Sequence, residues 1–249
     1  MKINICNDNK EYPFLYIDDF YTQEEEELIW KELDFYTHPE IMHRSPLNRV
    51  DAEEAHGIRF DEKTGKNVPG KNSWGDAWRV YIDKSYAHST NRLMKTLSPI
   101  PIQTLQEPAV REISHILRLQ RRKMTSEPVI NAIRETGPYY KFWNPEMPPP
   151  HCQLNYYEDG DSYGSHPDTF YITTACTFYR KPKAFTGGDH FQEDGRFFIE
   201  ATHNRMVIHP SYYLHEIRAL KMNDESKGEL SGLGRYAMIS FYPYNYMHY

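Results

Sequence analysis

Two residues in the second half of the chain, His166 and Asp168, carry side chains that could hold a metal ion together. One residue separates them, and on an extended backbone residues i and i+2 point to the same side of the strand. An imidazole and a carboxylate would then converge on one point. Because the pattern His-x-Asp is common by chance, it indicates a metal site only if the chain supplies further ligands.

The best candidate for a third ligand is His215, which follows an apolar run at 206–208 that is typical of a strand. His190, His203 and His209 are rival candidates, although a proline follows His209 and is expected to end its strand. Two histidines and one carboxylate on one face of an iron ion leave three coordination positions open for substrates and oxygen. A structural zinc site would instead be closed by four ligands and would favour cysteine.

A fourth residue that could do chemistry is Arg235, near the start of a segment, 234–242, that is typical of a buried strand. A buried arginine needs an anionic partner, and a guanidinium binds a carboxylate through two parallel hydrogen bonds. That partner is either one of the chain's own acids or the carboxylate of a bound ligand.

The elements that must position these residues are predicted to be short strands. From residue 151 onward, runs rich in Tyr, Phe, Ile and Thr alternate with turns that contain Gly and Asp. Many short strands at this spacing indicate an all-β sandwich or barrel. The predicted strands are 152–157, 170–179, 189–191, 196–200, 205–209, 213–219 and 235–242.

The first half of the chain is predicted to be more helical. A capping box from Thr22 to Glu25 begins a helix over 23–36. The other predicted elements are helices over 108–123 and 126–136 and strands over 14–20 and 78–82. Residues 38–75 are polar and interrupted by Gly and Pro, which predicts a long loop region of the kind that often contacts substrates or forms a lid.

The overall composition argues against several classes of function. The net charge of −6 is unfavourable for a general nucleic-acid binder and for docking on acidic membranes. No apolar run approaches the length that spans a bilayer, and residues 1–10 lack the apolar core of a signal peptide. Cys6, Cys152 and Cys176 have no paired spacing, so neither a disulfide framework nor a zinc knuckle is indicated. We therefore expect a soluble cytoplasmic protein.

Taken in chain order, His166, Asp168, His215 and Arg235 resemble the motif of the iron(II)- and 2-oxoglutarate-dependent oxygenases. Three further stretches are similar to the prolyl-4-hydroxylase-like branch of that family. They are Tyr157-x-x-Gly160-x-x-Tyr163-x-x-His166-x-Asp168, Gly187-Gly188-Asp189 and Gly234-Arg235-Tyr236. The resemblance covers 151–242 well and 14–36 loosely, while residues 38–150 match no motif.

The resemblance implies a fold and a ligand set. The fold would be mainly β, a double-stranded β-helix (a cupin-like jelly roll) flanked and buttressed by N-terminal helices. His166, Asp168 and His215 would ligate Fe(II), and Arg235 would pair with the 5-carboxylate of the cosubstrate 2-oxoglutarate. Tyr157 corresponds to a tyrosine that often hydrogen-bonds the cosubstrate, although it could equally be a core aromatic. A second hydroxyl would come from Tyr179 or from Thr177.

The resemblance also implies an activity. With 2-oxoglutarate and O2, and with ascorbate as an admissible reductant, the enzyme would hydroxylate an unactivated C–H bond and release succinate and CO2. The substrate would be a prolyl residue, a free amino acid or another small molecule. We expect one oxygenase domain over 1–249, with a helical buttress and substrate loops in 1–150 and the catalytic core in 151–249.

Departures from the family pattern leave alternatives open. His215 and Arg235 are 20 residues apart, which is longer than is typical of this branch, and 222–233 is predicted to be an inserted polar hairpin. Asp168 stands where related halogenases have Gly or Ala, so hydroxylation is expected. Nucleobase demethylation is not expected, because Phe241 stands where that branch has a second arginine. The tyrosine-rich tail could form a homodimer contact. The non-enzyme alternative is a cupin-type barrel that binds a metal or a small ligand.

Overall fold

The structure is mostly antiparallel β-sheet. The computed structural model describes residues 1–39, 41–44, 58–61, 66–69, 77–82, 114–144, 150–192 and 195–244. The strands are β1 (Lys2–Cys6), β2 (Phe14–Asp18), β3 (His43–Arg44), β4 (Ile58–Asp61), β5 (Lys66–Pro69), β6 (Trp78–Tyr81), β7 (His151–Tyr157), β8 (Tyr163–His166), β9 (Ile172–Phe178), β10 (Phe185–Gly187), β11 (His190–Gln192), β12 (Phe197–Ile199), β13 (Arg205–Pro210), β14 (His215–Ile217), β15 (Leu220–Met222) and β16 (Arg235–Tyr242). The helices are α1 (Gln23–Tyr36), α2 (His115–Met124) and α3 (Glu127–Thr136), with short 3-10 helices at Pro138–Phe142 and Asp224–Ser226.

Two sheets form the core of the fold. The major sheet has the order β1-β2-β13-β9-β16-β7-β6-β3, and the minor sheet has the order β12-β11-β14-β8. Along the chain, β7, β9, β13 and β16 belong to the major sheet, and β8, β11, β12 and β14 belong to the minor sheet. This winding between four strands of the major sheet and the four strands of the minor sheet is the double-stranded β-helix, or jelly roll. The predicted fold class is confirmed.

The two faces of the major sheet have different compositions. Successive side chains of a strand point to opposite faces. On β16, Tyr236 and Met238 point to the outer face and are buried in the largest apolar cluster, whereas Arg235 and Ala237 point to the inner face. The inner faces of the neighbouring strands carry mostly polar residues, which are Gln153, Asn155, Tyr157, Thr173, Thr177 and His209. The largest apolar cluster therefore lies outside the barrel, and the space between the sheets is lined by both polar and apolar side chains.

Three helices cover the outer face of the major sheet. In α1, Ile29, Leu33 and Tyr36 recur at helical spacing, and all three are fully buried. The predicted capping box is present, since the Thr22 hydroxyl accepts from the backbone N–H of Glu25 and the Glu25 side chain accepts from that of Thr22. The predictions of α1 and of a helix ending before Gly137 are confirmed. None of the helices in the described ranges is long and apolar enough to cross a membrane.

Helix α2 begins later than the sequence indicates. The predicted start at residue 108 lies outside the described residues, but Ser114 is the N-cap of α2 and its hydroxyl accepts from Leu117 N–H. The buried carboxylate of Glu32, on α1, accepts from the Ser114 hydroxyl at 2.6 Å and from Ile116 N–H at 2.9 Å. A carboxylate at the positive end of a helix stabilises it. The helix start is thus fixed by a residue 82 positions earlier, which a local pattern cannot reveal.

Several local predictions are corrected by the structure. Within 38–75, β4 and β5 pair as a two-stranded sheet, so the region is not an uninterrupted loop. The predicted hairpin at 222–233 is wrong, because β15 pairs with β10 and is followed by the 3-10 helix Asp224–Ser226. Strands β1, β10 and β15 are not among the predicted strands, and each lies at a sheet edge. Strand β8 ends at His166, so the strand predicted to carry both His166 and Asp168 does not reach Asp168. The proposed division at residue 150 stays a prediction.

Candidate metal centre

Three side chains from the minor sheet and its flank meet at one end of the space between the sheets. His166 ends β8 and His215 begins β14, and the two residues are directly opposite each other in the antiparallel ladder. Asp168 lies two residues beyond β8. Its carboxylate oxygens are 3.7 Å from His166 Nε2 and 3.4 Å from His215 Nε2. Within the described ranges this is the group of His, Cys and acidic residues that could hold a metal ion, with all ligand atoms within 4.8 Å of one another.

A β-bulge aims His166 toward this point. Between the pairs His166–His215 and Tyr163–Ile217, strand β8 has one more residue than β14. Such bulges re-aim side chains and are frequent near active sites. The bulge also turns the Gly164 carbonyl toward His166 Nδ1, at 2.7 Å. The sequence offers Gly164 as the only hint of this irregularity.

The hydrogen bonds of both histidines leave Nε2 available to a metal. His166 Nδ1 is bonded to the Gly164 carbonyl, and His215 Nδ1 to the Tyr213 carbonyl at 2.9 Å. A carbonyl can only accept, so each Nδ1 carries the proton and each Nε2 presents a lone pair. Backbone carbonyls orient metal-binding histidines in this way in many sites.

The carboxylate of Asp168 is oriented by two hydroxyl residues. Thr173 Oγ1 donates to Asp168 Oδ2 at 2.6 Å and is 2.9 Å from Ser211 Oγ. Because the single Thr173 hydroxyl proton goes to Asp168, Ser211 donates to Thr173. The Asp168 backbone N–H donates to the Ser211 carbonyl at 2.7 Å. Sequence reasoning missed Thr173 and Ser211, because neither belongs to a motif and both act across strands.

Burial keeps several histidines of this region neutral. Burial and the neighbouring His215 together lower the pKa of His166 to about 4, against the opposing effects of the hydrogen bond with the Gly164 carbonyl and of Asp168. Burial also lowers the pKa of His190 and of His209 well below its usual range. We call His166, His190 and His209 the neutral histidines. A neutral imidazole is the form that ligates metals.

Arg235 lies at the far end of the same cavity. The cavity is lined by Gln153, Tyr157, Tyr163, His166, Asp168, Thr173, Ala175, His190, His209, His215, Ile217, Arg235, Ala237, Ile239 and Phe241. The Arg235 side chain is buried, and its Nη2 donates to Thr177 Oγ1 at 3.0 Å. Its Nε and Nη1 atoms have no hydrogen-bond partner among the described residues. Burial lowers the pKa of Arg235, and Tyr157 and Asp189 partly offset this effect.

Gly188 makes room for the Arg235 side chain. Its φ is +70°, and a Cβ at this position would lie 3.2 Å from Arg235 Cδ and 2.4 Å from Leu220 Cδ1. A larger residue would therefore clash and would also be strained at this backbone angle. The Gly-Gly-Asp motif thus has a structural role, which is to let the arginine approach the minor sheet.

The two tyrosines predicted to contact a cosubstrate lie in different places. Tyr157 is fully buried, lines the cavity and is directly opposite Arg235 in the ladder, with the guanidinium carbon 5.3 Å from its ring centroid. Tyr179 lies beyond the end of β9, packs against Phe185 and His203, and does not line the cavity. Of the two candidates for a second hydroxyl, it is Thr177 that contacts Arg235.

The three histidines that were alternatives to His215 as the third ligand also lie in different places. His203 lies outside the cavity, where its Nε2 is 2.8 Å from Glu26 and its Nδ1 accepts from Tyr179 N–H. His209 lines the cavity near the end of β13, with its ring centroid 4.7 Å from that of His215. His190 lines it from β11. Neither belongs to the group whose ligand atoms converge.

Comparisons with known proteins give likenesses of fold only. No protein-family model and no curated protein matches the sequence. The structure is similar to a prolyl-4-hydroxylase from Pseudomonas putida (13% identity, TM-score 0.43, 96% of this chain and 97% of that chain). It is also similar to a 2OG-Fe(II) oxygenase family oxidoreductase from Burkholderia pseudomallei (15% identity, TM-score 0.37, 52% of this chain and 57% of that chain). A third similar structure is that of prolyl 4-hydroxylases from Phytophthora capsici (11% identity, TM-score 0.45, 94% of this chain and 59% of that chain). The chain thus spans less than two thirds of the last two chains. At these values the likenesses carry no functional assignment, which must come from the site.

Proposed function

We propose that this protein is an iron(II)- and 2-oxoglutarate-dependent dioxygenase that hydroxylates an unactivated C–H bond. The observation that carries the proposal is the combination of two sites in one cavity. The converging ligand atoms of His166, Asp168 and His215 lie at one end, and at the other lies a buried arginine, two of whose nitrogens have no partner in the described part of the chain.

The residues of the triad fit a catalytic metal ion. Two imidazoles present free Nε2 lone pairs, and the carboxylate supplies the negative charge that a divalent cation requires. Two histidines and one carboxylate with open positions are typical of non-haem iron oxygenases, whereas a structural zinc site would be closed by a fourth ligand. No fourth His, Cys or acidic side chain joins the group in the described part of the chain.

Arg235 fits the far carboxylate of a dicarboxylate cosubstrate. A buried guanidinium with unpartnered N–H groups is costly unless an anion accepts from them. The Asp189 carboxylate does not play this part, because it accepts from Ala201 N–H and makes no hydrogen bond with Arg235. A bound carboxylate would accept two parallel hydrogen bonds from the guanidinium.

The cavity residues have distinct tasks in such an enzyme. Bound iron and 2-oxoglutarate would supply the oxidising chemistry, with succinate and CO2 as co-products. Thr173 and Ser211 fix the rotamer of Asp168, and the Gly164 and Tyr213 carbonyls hold the protons of the two histidines on Nδ1. These bonds keep the ligands in place while the cosubstrate and substrate exchange.

We further propose a compact substrate such as a prolyl residue or a similar amino acid. Phe241 lines the cavity and lies opposite Thr173, the residue that contacts Asp168, so it is level with the metal ligands. Its ring stacks on Phe170 at a centroid distance of 5.1 Å, and both rings are half-buried. Aromatic faces of this kind accommodate saturated rings. The substrate loops, the homodimer and the cytoplasmic location stay predictions.

Anaerobic titration with Fe(II) and 2-oxoglutarate tests the proposal. The complex should give a weak visible charge-transfer band, and under air it should form succinate in a screen of proline-containing peptides, free amino acids and small metabolites. Asp168→Ala should abolish both signals. Asp224→Ala is the matched control, because the Asp224 side chain is 94% exposed and pairs with Lys227 outside the cavity.

The outcomes separate the enzyme from the binding barrel. Metal binding without a charge-transfer band and without succinate would favour a cupin-type barrel that holds a metal or small ligand. Absence of metal binding at the triad would overturn both the oxygenase and the metal-binding barrel, and it would leave the small-ligand barrel as the alternative.

A further inference from the structure

A buried histidine of the minor sheet, His190, has no hydrogen-bond partner for either ring nitrogen among the described residues. It is 4% exposed and lines the cavity. Nearby, Gln192 and the Nε2 atom of His209 are also buried without partners. Buried polar groups in native proteins are almost always satisfied, and exceptions call for an explanation such as a ligand or water. The concentration of such atoms beside the metal centre points to an occupant of the cavity.

The strand register places His190 between the metal ligands and Arg235. On the minor sheet, Gln192 is opposite His215 and His190 is opposite Ile217. Because inward-facing residues alternate along a strand, His190 is the next inward-facing residue of its strand after the level of the ligand His215. On the major sheet, Thr173 is level with the metal and Thr177, which contacts Arg235, lies four residues further along the same strand. The imidazole is therefore displaced from the metal in the direction of the arginine.

Arg235 approaches the turn that leads into the strand of His190. The ideal Cβ position of Gly188, two residues before His190, is 3.2 Å from Arg235 Cδ. The charge of Arg235 also contributes to lowering the pKa of His190, after burial and the effects of His209 and His215. The guanidinium and the imidazole thus face the same part of the cavity.

We propose that His190 is a further cosubstrate-binding residue, which donates an imidazole N–H to the same carboxylate that Arg235 binds. The inference rests on the proposed function and names a residue that the family motif does not include. A neutral imidazole offers one N–H donor. Nε and Nη1 of Arg235 are further donor nitrogens without an acceptor among the described residues, and a carboxylate has two oxygens with about four acceptor sites. One distal carboxylate could accept from one edge of the guanidinium and from the imidazole N–H at the same time.

The test compares two ligands that differ only at the distal end. 2-Oxoglutarate carries a carboxylate there, and 2-oxopentanoate has the same chain with a methyl group. Both are titrated anaerobically into the Fe(II) protein, and dissociation constants are read from the charge-transfer band. In His190→Phe the affinity for 2-oxoglutarate should fall about tenfold or more, as for a lost hydrogen bond to a charged group, while that for 2-oxopentanoate should change less than about threefold.

Two further variants make the result decisive. His190→Asn keeps a side-chain N–H donor and should recover part of the lost affinity; it also serves if His190→Phe does not fold. His203→Phe is the matched control, because His203 is similarly buried but lies outside the cavity, and it should leave both dissociation constants unchanged.

Equal losses for the two ligands, or no loss for either, would overturn the role of His190. A wild-type protein that binds neither Fe(II) nor 2-oxoglutarate would instead overturn the proposed function itself. The two failures are therefore distinguishable in one set of titrations.

Discussion

Replacing Arg235 with methionine should weaken cosubstrate binding and at the same time spare or raise the stability of the metal-free protein. Methionine has a similar length and no charge, so Arg235→Met removes the guanidinium while filling much of its space. Most buried arginines are structural, and their loss is destabilising. Here the two effects should have opposite signs, because the described residues leave two nitrogens of the buried guanidinium without a hydrogen-bond acceptor.

The magnitudes follow from the hydrogen bonds of the guanidinium. Nε and Nη1 have no partner among the described residues, so one edge of the guanidinium can offer a carboxylate two hydrogen bonds, and hydrogen bonds to charged groups contribute roughly 1.5–3 kcal/mol each. A total of about 3 kcal/mol corresponds to roughly a hundredfold weaker binding of 2-oxoglutarate. Among the described residues, Thr177 accepts a hydrogen bond from Arg235. Replacing such an ill-paired buried charge with an apolar residue is expected to be neutral or stabilising by about 1 kcal/mol or more, whereas breaking a true buried ion pair costs about 3–5 kcal/mol.

The assay combines anaerobic titration of the Fe(II) protein with 2-oxoglutarate and urea unfolding of the metal-free protein. Arg205→Met is the matched control, since Arg205 is a partly buried arginine whose Nε donates to Asp18 at 2.5 Å, away from the cavity. The control should lose some stability and keep its 2-oxoglutarate affinity. A metal-free Arg235→Met protein that is several kcal/mol less stable would show that Arg235 has a structural partner, and unchanged affinity would refute its role as the anchor.

Three other predictions concern the surroundings of this site. Gly188→Ala should lower both 2-oxoglutarate affinity and stability, because the new Cβ would clash with Leu220 and crowd Arg235. Gly160→Ala is the control, because Gly160 has φ +84° and no atom within 4 Å of the new Cβ, so this variant carries the backbone strain alone. Equal behaviour of the two variants in the titration and in urea unfolding would contradict the prediction. The metal-free protein should lose stability steeply as the pH falls from the unfolded histidine pKa of about 6.5 toward 4, because the unfolded chain then binds three protons that the folded protein does not bind at the neutral histidines. The free energy of unfolding should fall by up to about 4 kcal/mol per pH unit. Circular dichroism against pH measures this loss, and a flat profile to pH 4 would contradict the prediction. Glu32→Ala should cost about 3 kcal/mol in urea unfolding, because it leaves the start of α2 without its buried acceptor, and a loss under 1 kcal/mol would show that Ser114 suffices.

The metal ligands could be found from the sequence because the signal is local. His166 and Asp168 are two residues apart, so their side chains lie close together even though Asp168 is beyond the end of β8. Arg235 was conspicuous as one charge in an otherwise apolar strand. The Gly-Gly-Asp motif was recognisable as well, but its steric reason, the approach of Arg235, needs coordinates.

The features that escaped prediction depend on contacts between distant segments. Glu32 caps a helix that begins 82 residues later, and nothing near either residue announces the pair. His190 looks like any of the twelve histidines until its burial and missing partners are known. The bulge in β8 arises from a mismatch of one residue between two strands, which alternation of polar and apolar residues is too weak to show over four residues.

That bulged strand has a consequence for metal exchange. β8 is the edge of the minor sheet and is joined to β14 at two residue pairs, yet it ends in one of the ligands and leads to another. A bound ion would bridge His166 to His215 and so act as an additional link between the edge strand and its neighbour. Release of the ion would then be coupled to fraying of β8, and rebinding would include the entropy of reordering it. The observed metal affinity would therefore report the order of an edge strand as well as the strength of three bonds.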